Sequence, residues 1–385
     1  MPTDLVARCV RGLEWTVADE ISTRLPAAAG ITMSSREVSF EMPAVPPDVL
    51  DLRLADDLFL VVGTVTDVGK TRDVPEAAAR RVAALDWTAA MNRLRAVREL
   101  PARPRFDVVT SLEGRRNYNR FDMENAVGAA LGPLLNGEYL VRTSEGRQAG
   151  EPQLTVRLFV RDAAARVTLR VAGQPLHRRP YKQHTGPGTL HPPVAAALAR
   201  LAAPGAAEIV ADPFCGDGTI AIETAAAYPG SRVLASDIDS VRLCNARRNA
   251  ALARVTLSLA RLDAGRLPWQ PGAIGAVLTN PPWNVAVPSS GLLRSSMDQF
   301  WRQLPGLLAT DGRVCLIADL ELDAPGRLRR MGYQLALATQ VRLAGRVSHV
   351  LLCAPRDQDR PRLPPGIARW HRRALRDKVI TESGF

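Results

Sequence analysis

Hydrophobic and polar positions follow two different rhythms along the chain, and the change comes near residue 180. Before it, short strand-like runs such as 59–65 and 166–171 are mixed with helical patterns, which predicts an α+β region with small sheets. From about residue 192, runs of strand type and of helix type alternate at the spacing of β-α-β units. The chain is therefore predicted to contain two regions of different fold class.

The second region has the pattern of a parallel sheet with helices on its faces. Its last two strand-like runs, 333–343 and 348–353, are joined by a connection too short for a crossover helix, so we expect them to pair antiparallel. The preceding strand-like runs are 208–211, 232–236, 276–279 and 313–318, and the helical runs are 194–201, 219–227, 240–253 and 296–308.

Composition sets the outer limits on the class of protein. Of the 385 residues, 46% are hydrophobic and 23% charged, which is ordinary for globular proteins and excludes a disordered chain. No apolar run reaches the roughly 18–20 residues that span a bilayer, and charged residues interrupt the first 14 positions, so a soluble, cytoplasmic protein is expected. The five cysteines lack zinc-ligand spacing, so neither a disulfide scaffold nor a metal site is expected.

The formal net charge is +11. Lysines and arginines that neutralise phosphates release counterions on binding, so this excess points to a polyanionic partner such as a nucleic acid. A solvated basic surface with no partner would give the same composition. The charge alone leaves both interpretations open.

A glycine-rich turn, Asp212 to Thr219, joins an apolar strand-like run to a helical one. Such a turn lets a ligand approach the backbone, and ligands of open α/β sheets bind at the carboxyl ends of the strands. The turn has neither the dinucleotide nor the P-loop pattern, so a nucleotide phosphate is not expected. Asp237, after the second strand, suits a ribose hydroxyl pair, and Asp263, after the third, suits an exocyclic adenine amine.

The tetrapeptide Asn280-Pro281-Pro282-Trp283 follows the strand-like run 276–279. Taken alone, two prolines after a strand most often form only a turn. At the same sheet edge as the glycine-rich turn, however, the tetrapeptide completes a pattern that resembles the class I S-adenosylmethionine-dependent methyltransferases acting on an exocyclic or amide nitrogen. The resemblance implies S-adenosylmethionine as the cofactor.

These residue types suit methyl transfer to an amine. An exocyclic amine on a nucleobase is a poor nucleophile because its lone pair is delocalised into the ring. The side-chain oxygen of Asn280 and the backbone carbonyl of Pro281 are expected to accept hydrogen bonds from the amine, which localises that lone pair. Pro282 would keep the turn rigid, and Trp283 would stack on the base. These four residues form the predicted catalytic set.

Three segments of the first half, 9–15, 52–57 and 114–121, together resemble the ferredoxin-like plus THUMP region of tRNA-modifying enzymes. A lone basic loop is more often a solvated face, but arginines interleaved with Asn and Tyr suit phosphate contact and base stacking. The predicted RNA-binding residues are Arg115, Arg116, Asn117, Tyr118 and Arg120, together with Arg178 and Lys182 in the joint between the halves.

That joint, residues 177–193, is similar to the interdomain linker of THUMP-containing guanine-N2 methyltransferases. Pro180 replaces the usual Gly of this linker, and Thr189 with His191 replaces its usual Pro-Leu-Lys turn. Asn284 stands where a Gly usually follows the tetrapeptide. Asn280 and Pro281 remain, so catalysis is expected, while the target nucleotide stays open.

The resemblance to THUMP-containing tRNA (guanine-N2) methyltransferases extends to about residue 355. It implies an α/β fold, a Rossmann-like class I methyltransferase domain with a seven-stranded, mostly parallel sheet, preceded by an α+β ferredoxin-like and THUMP RNA-binding region. It also implies formation of N2-methylguanosine in tRNA, in or near the acceptor stem. The expected divisions are 1–175 for the RNA-binding region, 176–192 for the linker, 193–355 for the methyltransferase domain and 356–385 for an extended basic tail with a short helix at 367–375.

The cofactor-binding residues that the resemblance implies lie in the linker and at the strand ends. They are Leu190, His191, Asp212, Phe214, Cys215, Gly216, Gly218, Thr219, Asp237, Asp263 and Asn280. Cys215 is expected to pack as a small residue rather than to act as a nucleophile. Asp217, Asp239 and Glu223 are also compatible with simple helix-start or surface acids, and this is the interpretation that we prefer for Glu223.

Other substrates and one other class of function remain open. Guanine-N2 in ribosomal RNA, adenine-N6 in nucleic acid or an amide nitrogen on a protein would need the same chemistry, although an RNA-binding region argues against a protein substrate. A non-catalytic RNA-binding protein would keep only a vestigial cofactor pocket. The sequence predicts no oligomeric state.

Overall fold

The structure is a computed structural model that describes residues 2–143, 146–147, 150–282, 289–343 and 345–381. The strands of the first half are β1 Thr3–Arg8, β2 Ala29–Ser34, β3 Glu37–Met42, β4 Asp57–Val65, β5 Arg105–Leu112, β6 Glu138–Tyr139, β7 Arg142–Thr143, β8 Gly146–Arg147, β9 Leu154–Arg161 and β10 Ala164–Arg170. Its helices are α1 Glu14–Arg24, α2 Val74–Ala83, α3 Trp87–Val97 and α4 Arg120–Leu135.

The second half alternates helices and strands along the chain. Its elements are α5 Pro192–Ala202, β11 Ile209–Asp212, α6 Thr219–Ala227, β12 Arg232–Asp237, α7 Ser240–Ala253, β13 Ser258–Arg261, β14 Ile274–Thr279, α8 Asp298–Leu307, β15 Leu308–Asp319, α9 Ala324–Arg330, β16 Tyr333–Leu343, β17 Arg346–Pro355 and α10 Pro365–Arg376.

Eight strands of the first half form one sheet, larger than the small sheets that the pattern predicts, with the order β2-β3-β1-β4-β10-β9-β5-β6, and β7 pairs with β8 in a separate two-stranded sheet. The join is made by β10, which pairs antiparallel with β4 on one side and with β9 on the other. Local periodicity predicts each strand but carries no information on which distant strand it pairs with, and this is why the join was not predicted.

The second half forms a seven-stranded sheet in the order β13-β12-β11-β14-β15-β17-β16. Strand β17 pairs antiparallel with both β15 and β16, and the remaining pairs are parallel. This confirms the predicted class I arrangement, including its antiparallel hairpin. Every residue of the central strand β14 is buried, as expected for a parallel strand with helices on both faces. The carboxyl ends of β11 to β14 therefore meet at one edge of the sheet.

The last segment contains the short helix predicted at 367–375, as α10, but this helix is packed on the body and does not belong to an extended tail. Helix α10 packs against α1 of the first half, with Ile367, Trp370 and Ala374 buried in the contact. Its apolar residues recur at helical spacing on one face, which gives the helix a docking side that the many arginines of this segment hide in a composition count. No helix in the described residues is long and apolar enough to cross a membrane.

Candidate functional site

A cavity of about 500 Å³ opens at the carboxyl edge of β11, β12, β13 and β14. It lies where the strand order of the sheet changes direction, which is the usual ligand position in open α/β sheets. Predicted site residues that line it are Leu190, Phe214, Cys215, Gly216, Thr219, Asp237, Asp263, Asn280, Pro281 and Pro282. Trp283 and Asn284 lie outside the described residues.

The two glycines of the turn between β11 and α6 have different surroundings. Both have positive φ, +51° at Gly216 and +87° at Gly218, where side chains other than glycine are strained. A Cβ at Gly216 would meet no atom within 4 Å, so the backbone there borders open space. A Cβ at Gly218 would lie 3.0 Å from that of Ala246, so this glycine lets α6 and α7 pack closely and does not line the cavity.

Two carboxylates face the cavity from the ends of neighbouring strands. Asp237 accepts hydrogen bonds from the backbone amides of Gly216 and Asp239, both at 2.9 Å. Burial raises the pKa of Asp237 despite these bonds. Asp263 accepts from the amides of Gly265 and Leu292, both at 2.8 Å. Each carboxylate oxygen has a second lone pair, so both residues are fixed in position and keep acceptor capacity toward the cavity.

Asn280 holds an unused acceptor at the end of β14. Its Nδ2 donates to the backbone oxygen of Gly188 at 3.4 Å, whereas its Oδ1 is buried and has no hydrogen-bond partner among the described residues. Pro281, the next residue, is buried in the cavity wall. Buried polar atoms are almost always paired, so the free oxygen marks a place for a donor that the described residues do not supply.

Asp212 and His191, two further predicted cofactor contacts, do not line the cavity. Asp212 is fully buried at the end of β11 and accepts from the amide of Phe214 at 3.3 Å, so it lies beneath the cavity rather than in its wall. Burial raises the pKa of Asp212 to about 8. His191 turns toward the first half, where its Nε2 lies 2.7 Å from Asp56 Oδ1. A strand end and a linker motif bring residues near a site without fixing where each side chain points.

Cys215 lines the cavity but is poorly suited to nucleophilic chemistry. Its side chain is buried, and burial raises the pKa of the thiol well above its ordinary value. The thiolate, which is the reactive form, is therefore disfavoured. This agrees with the expectation that Cys215 packs as a small residue.

Asp217, which the sequence left as a helix-start or surface acid, is a buried anchor for the linker. Its carboxylate accepts from the amide of Gly186 at 2.8 Å, from the hydroxyl of Thr189 and from Asn245 Nδ2 at 3.0 Å. Arg242 Nη1 also contacts it at 2.5 Å. Burial favours the neutral acid, but the hydrogen bonds and Arg242 outweigh it and lower the pKa of Asp217.

This anchoring gives the linker a role in the cavity itself. Gly188, Thr189 and Leu190 form part of the cavity wall, and the oxygen of Gly188 receives the Asn280 amide. Thr189, the departure from the usual linker turn, supplies one of the bonds to Asp217. The sequence contains little indication of this contact, because the hydroxyl of Thr189 and the carboxylate of Asp217 are 28 positions apart.

The prediction that Glu223 is a helix-start or surface acid is wrong, because it lies beyond the first turn of α6 and is fully buried at the junction of the halves. It accepts from Arg53 Nε at 2.8 Å, from Arg179 Nε at 3.0 Å and from the hydroxyl of Tyr181 at 2.8 Å. Arg53 comes from the first half, whereas Arg179 and Tyr181 come from the linker. One carboxylate therefore ties all three parts of the chain together.

The predicted RNA-binding residues divide into exposed and engaged side chains. Arg115, Asn117, Arg120 and Arg178 are exposed. Arg116 donates to the backbone oxygens of Val68, Gly69 and Asp162, and Lys182 donates to that of Leu190 at 2.7 Å.

Tyr118 is 7% exposed, and its hydroxyl donates to Gly69 O at 3.1 Å. The ring is therefore buried rather than exposed for the base stacking that the sequence predicts. Arg116 and Tyr118 instead fix the loop that presents Arg115, because both side chains point inward to oxygens of the loop that precedes α2.

Comparison with known proteins connects this site to an established family. The family model described as an RMKL-like methyltransferase domain matches residues 179–349. A tRNA (guanine(6)-N2)-methyltransferase of Thermus thermophilus is 32% identical over 312 residues, which are 80% of this chain and 86% of that protein. A tRNA (guanine(10)-N2)-dimethyltransferase of Methanothermobacter thermautotrophicus is 30% identical over 149 residues, 38% of this chain and 43% of that one.

The crystal structure of TrmN from Thermus thermophilus superimposes with a TM-score of 0.72 at 28% identity, over 92% of this chain and 99% of that one. Both halves of the fold are therefore shared, and the extent of the match excludes a likeness confined to the common methyltransferase sheet. The chain belongs to the family of class I S-adenosylmethionine-dependent tRNA (guanine-N2) methyltransferases.

Proposed function

We propose that this protein transfers a methyl group from S-adenosylmethionine to N2 of the guanosine at position 6 of tRNA, in the acceptor stem. The relative named for position 6 matches most of both chains, whereas the relative named for position 10 matches less than half of each. The longer match supports position 6, because it extends into the amino-terminal half, which would position the tRNA.

One observation carries the proposed chemistry: the buried, unpaired Oδ1 of Asn280 in the cavity wall. An exocyclic amine has two N–H groups, and Asn280 Oδ1 with the carbonyl of Pro281 would accept one each. Both bonds draw the nitrogen lone pair out of conjugation with the ring. The bond from Asn280 Nδ2 to Gly188 would keep the amide oxygen turned toward the amine.

The residues around the cavity fit S-adenosylmethionine. Gly216 leaves open space at the backbone, Asp237 would accept from ribose hydroxyls, and Asp263 would accept from the adenine amine. When bound, the cofactor supplies a methyl group already activated on a sulfonium. No nucleophilic side chain is then required, which agrees with the raised thiol pKa of Cys215.

The linker would complete the site on its open side. Asp217 holds residues 186–189 against the cavity, so that Thr189 and Leu190 close the wall beside the cofactor. Water exclusion and fixed orientation are the main contributions a protein makes to a reaction whose donor is already activated. Residues 1–175 would bind tRNA, and a tRNA substrate supports a cytoplasmic location.

The test uses full-length protein, labelled S-adenosylmethionine and an unmodified tRNA transcript, with nucleosides identified by mass spectrometry after digestion. We expect N2-methylguanosine, lost when adenosine replaces guanosine at position 6 and kept when guanosine 10 is replaced. Label in ribosomal RNA but not in tRNA would overturn the substrate, and N6-methyladenosine would overturn the target base. Absence of transfer by protein that binds both cofactor and tRNA would favour a non-catalytic RNA-binding protein.

A further inference from the structure

The positive charge of this chain is concentrated near its end. Between residues 360 and 378 there are seven basic residues and one acid, so these 19 residues carry six of the eleven net positive charges. The other 366 residues together carry the remaining five net positive charges. A charge excess spread evenly would suggest a general surface property, but this one belongs to α10 and its flanks.

Helix α10 is held firmly on the first half by its apolar face. Ile367 is 2% exposed, Trp370 is 6% exposed, and Ala374 is fully buried. The indole Nε1 of Trp370 donates to the hydroxyl of Ser22 in α1 at 3.1 Å, and His371 packs edge-on against Trp15 at 4.7 Å between ring centroids. The helix is thus a fixed part of the body, and its outer face has a defined position.

The outer face of α10 carries arginines and no acid. Arg369, Arg372 and Arg376 are exposed at spacings of three and four residues, which places them on one side of the helix. Arg372 has no ion pair with a described residue, and Arg376 contacts only Asp377, at 3.5 Å. The nearby acid, Asp377, lies at the carboxyl end of the helix, where it pairs with Arg373 at 3.3 Å and leaves Arg369 and Arg372 without a counter-charge among the described residues.

This arrangement of like charges destabilises α10 when no anion is bound to it. Arg372 and Arg376 are an i, i+4 pair of like charge, and so are Arg369 and Arg373, so each pair destabilises the helix. A polyanion laid along the face would replace repulsion by attraction. Arginine also matches phosphate oxygens with two parallel N–H donors, which suits a nucleic-acid backbone.

We propose that the outer face of α10 is a binding surface for the phosphate backbone of the tRNA substrate, separate from the cavity and from the loop of Arg115. The inference rests on the proposed function for the identity of the RNA. Because α10 is packed on α1, and Arg200 of α5 binds Asp19 of α1 with Nε to Oδ2 at 2.7 Å, RNA held there is held in a fixed relation to the catalytic half.

The test compares three full-length variants with wild type in tRNA binding without cofactor, across a range of salt concentrations. In the first variant, Arg369, Arg372 and Arg376 are all changed to Gln. The second changes the same three to Lys, which keeps the charge. The matched control changes Arg232, Arg247 and Arg254 to Gln, three exposed arginines of the second half, on β12, on α7 and at the end of α7, that form no ion pair with a described residue.

Loss of three phosphate contacts should lower the slope of log K against log salt by about 2–3 and weaken binding on the order of tenfold or more at moderate salt. The Lys variant should keep most of the slope, and the control should keep nearly all of it. Equal effects of the α10 and control variants would overturn the proposal, since they would show a general charge effect, and so would an unchanged slope in the Gln variant.

Two further measurements keep the outcomes apart. Thermal unfolding checks that the Gln variant is folded, as expected for substitutions at exposed positions. Methyl transfer at saturating tRNA should have an unchanged kcat with a raised KM for tRNA, because none of the three arginines lines the cavity. If the wild type binds tRNA but transfers no methyl group, the proposed function fails, while the binding comparison still decides the role of α10.

Discussion

The two halves of the molecule differ in how their functional residues are arranged. In the second half, the predicted residues from four strand ends converge on one cavity, and their side chains are fixed by short hydrogen bonds such as those to Asp237 and Asp263. In the first half, the predicted basic loop uses Arg116 and Tyr118 to hold itself together and leaves Arg115 outside. Methyl transfer demands exact placement, whereas contact with phosphates demands only positive charge within reach.

This difference explains what each kind of motif can reveal. A tetrapeptide that performs catalysis is restricted to residue types that satisfy the chemistry, so its residue types predict its role. Arginines serve equally well in phosphate contacts, ion pairs and bonds to backbone oxygens, so the presence of an arginine does not predict its role. The amino-terminal half therefore has to be tested residue by residue, and variants in the two halves should fail in different assays.

The largest effect is expected at Asn280. Replacement by Ala removes the free amide oxygen and the bond to Gly188, and by comparison with the loss of one oxyanion-hole donor should lower kcat about 10²–10³-fold. Affinity for tRNA should stay within about twofold, because the contact is local to the amine. Single-turnover methyl transfer and a separate binding assay measure the two quantities. Activity above a tenth of wild type would refute the assignment.

The next largest effect is expected at the junction of the halves. Glu223→Gln leaves the guanidinium of Arg179, which is 8% exposed, without its carboxylate, and should reduce the free energy of unfolding by about 2–4 kcal/mol. Chemical denaturation measures it.

A matched control for Glu223 is Glu113→Gln, whose partner Arg161 is 69% exposed. This change should cost less than about 0.5 kcal/mol. Equal losses in the two variants would show that Glu223 has no special place in the junction.

Gly216 and Gly218 should respond differently to substitution, because Gly218 packs against α7 whereas Gly216 borders the cavity. Gly218→Ala adds a Cβ against Ala246 in addition to left-handed strain and should cost about 2–3 kcal/mol of stability. Gly216→Ala meets no atom and should cost only about 1–2 kcal/mol, while raising the KM for S-adenosylmethionine. Denaturation and steady-state kinetics together give the contrast. The reverse pattern would mean that Gly218, not Gly216, borders the cofactor.

A smaller effect is expected in the pH dependence of stability. Because the pKa of Asp212 is raised to about 8 by burial, the folded state keeps a proton that the unfolded state has released between roughly pH 4 and 8. In that window this carboxyl makes stability fall as pH rises, by at most about 1.4 kcal/mol per pH unit, and above pH 8 its contribution to the slope disappears. Asp212→Asn should flatten the slope in denaturation measured from pH 5 to 9. Parallel curves would show that Asp212 is ionised in the folded state.

The smallest effects are expected in the loop of Arg115 and Arg116, where the two arginines should affect different quantities. Arg115→Gln should leave stability unchanged and reduce the salt slope of tRNA binding by about 0.7–0.9, the value for one phosphate contact. Arg116→Gln should instead cost about 1 kcal/mol of stability, because it breaks the bonds to Val68 and Gly69. If only Arg116→Gln changed the salt slope, the buried arginine would be the RNA contact and the loop would have to rearrange.

Much of the second half follows from sequence because its elements are local and strongly patterned. Helices α6 and α7 begin and end where the hydrophobic pattern predicts them, and the antiparallel hairpin follows from one short connection. What the sequence did not predict depends on distance along the chain. Glu223 meets Arg53 across 170 positions and Asp217 meets Thr189 across 28, and no periodicity encodes such pairs.

Helix α5 determines where this chain can be divided. Ten of its eleven residues are buried, and eight of them belong to a continuous apolar core that extends from Leu5 in the first strand to Ile380 near the end of the chain. A fragment that begins at residue 193 would keep the contacts of α5 with α6, β14, β15 and β17, but it would lose the apolar core of the first half and the partners of Arg200. The methyltransferase half is therefore not an independent unit. Joining it to a different RNA-binding domain would require either keeping the first half or redesigning the surface that the first half covers.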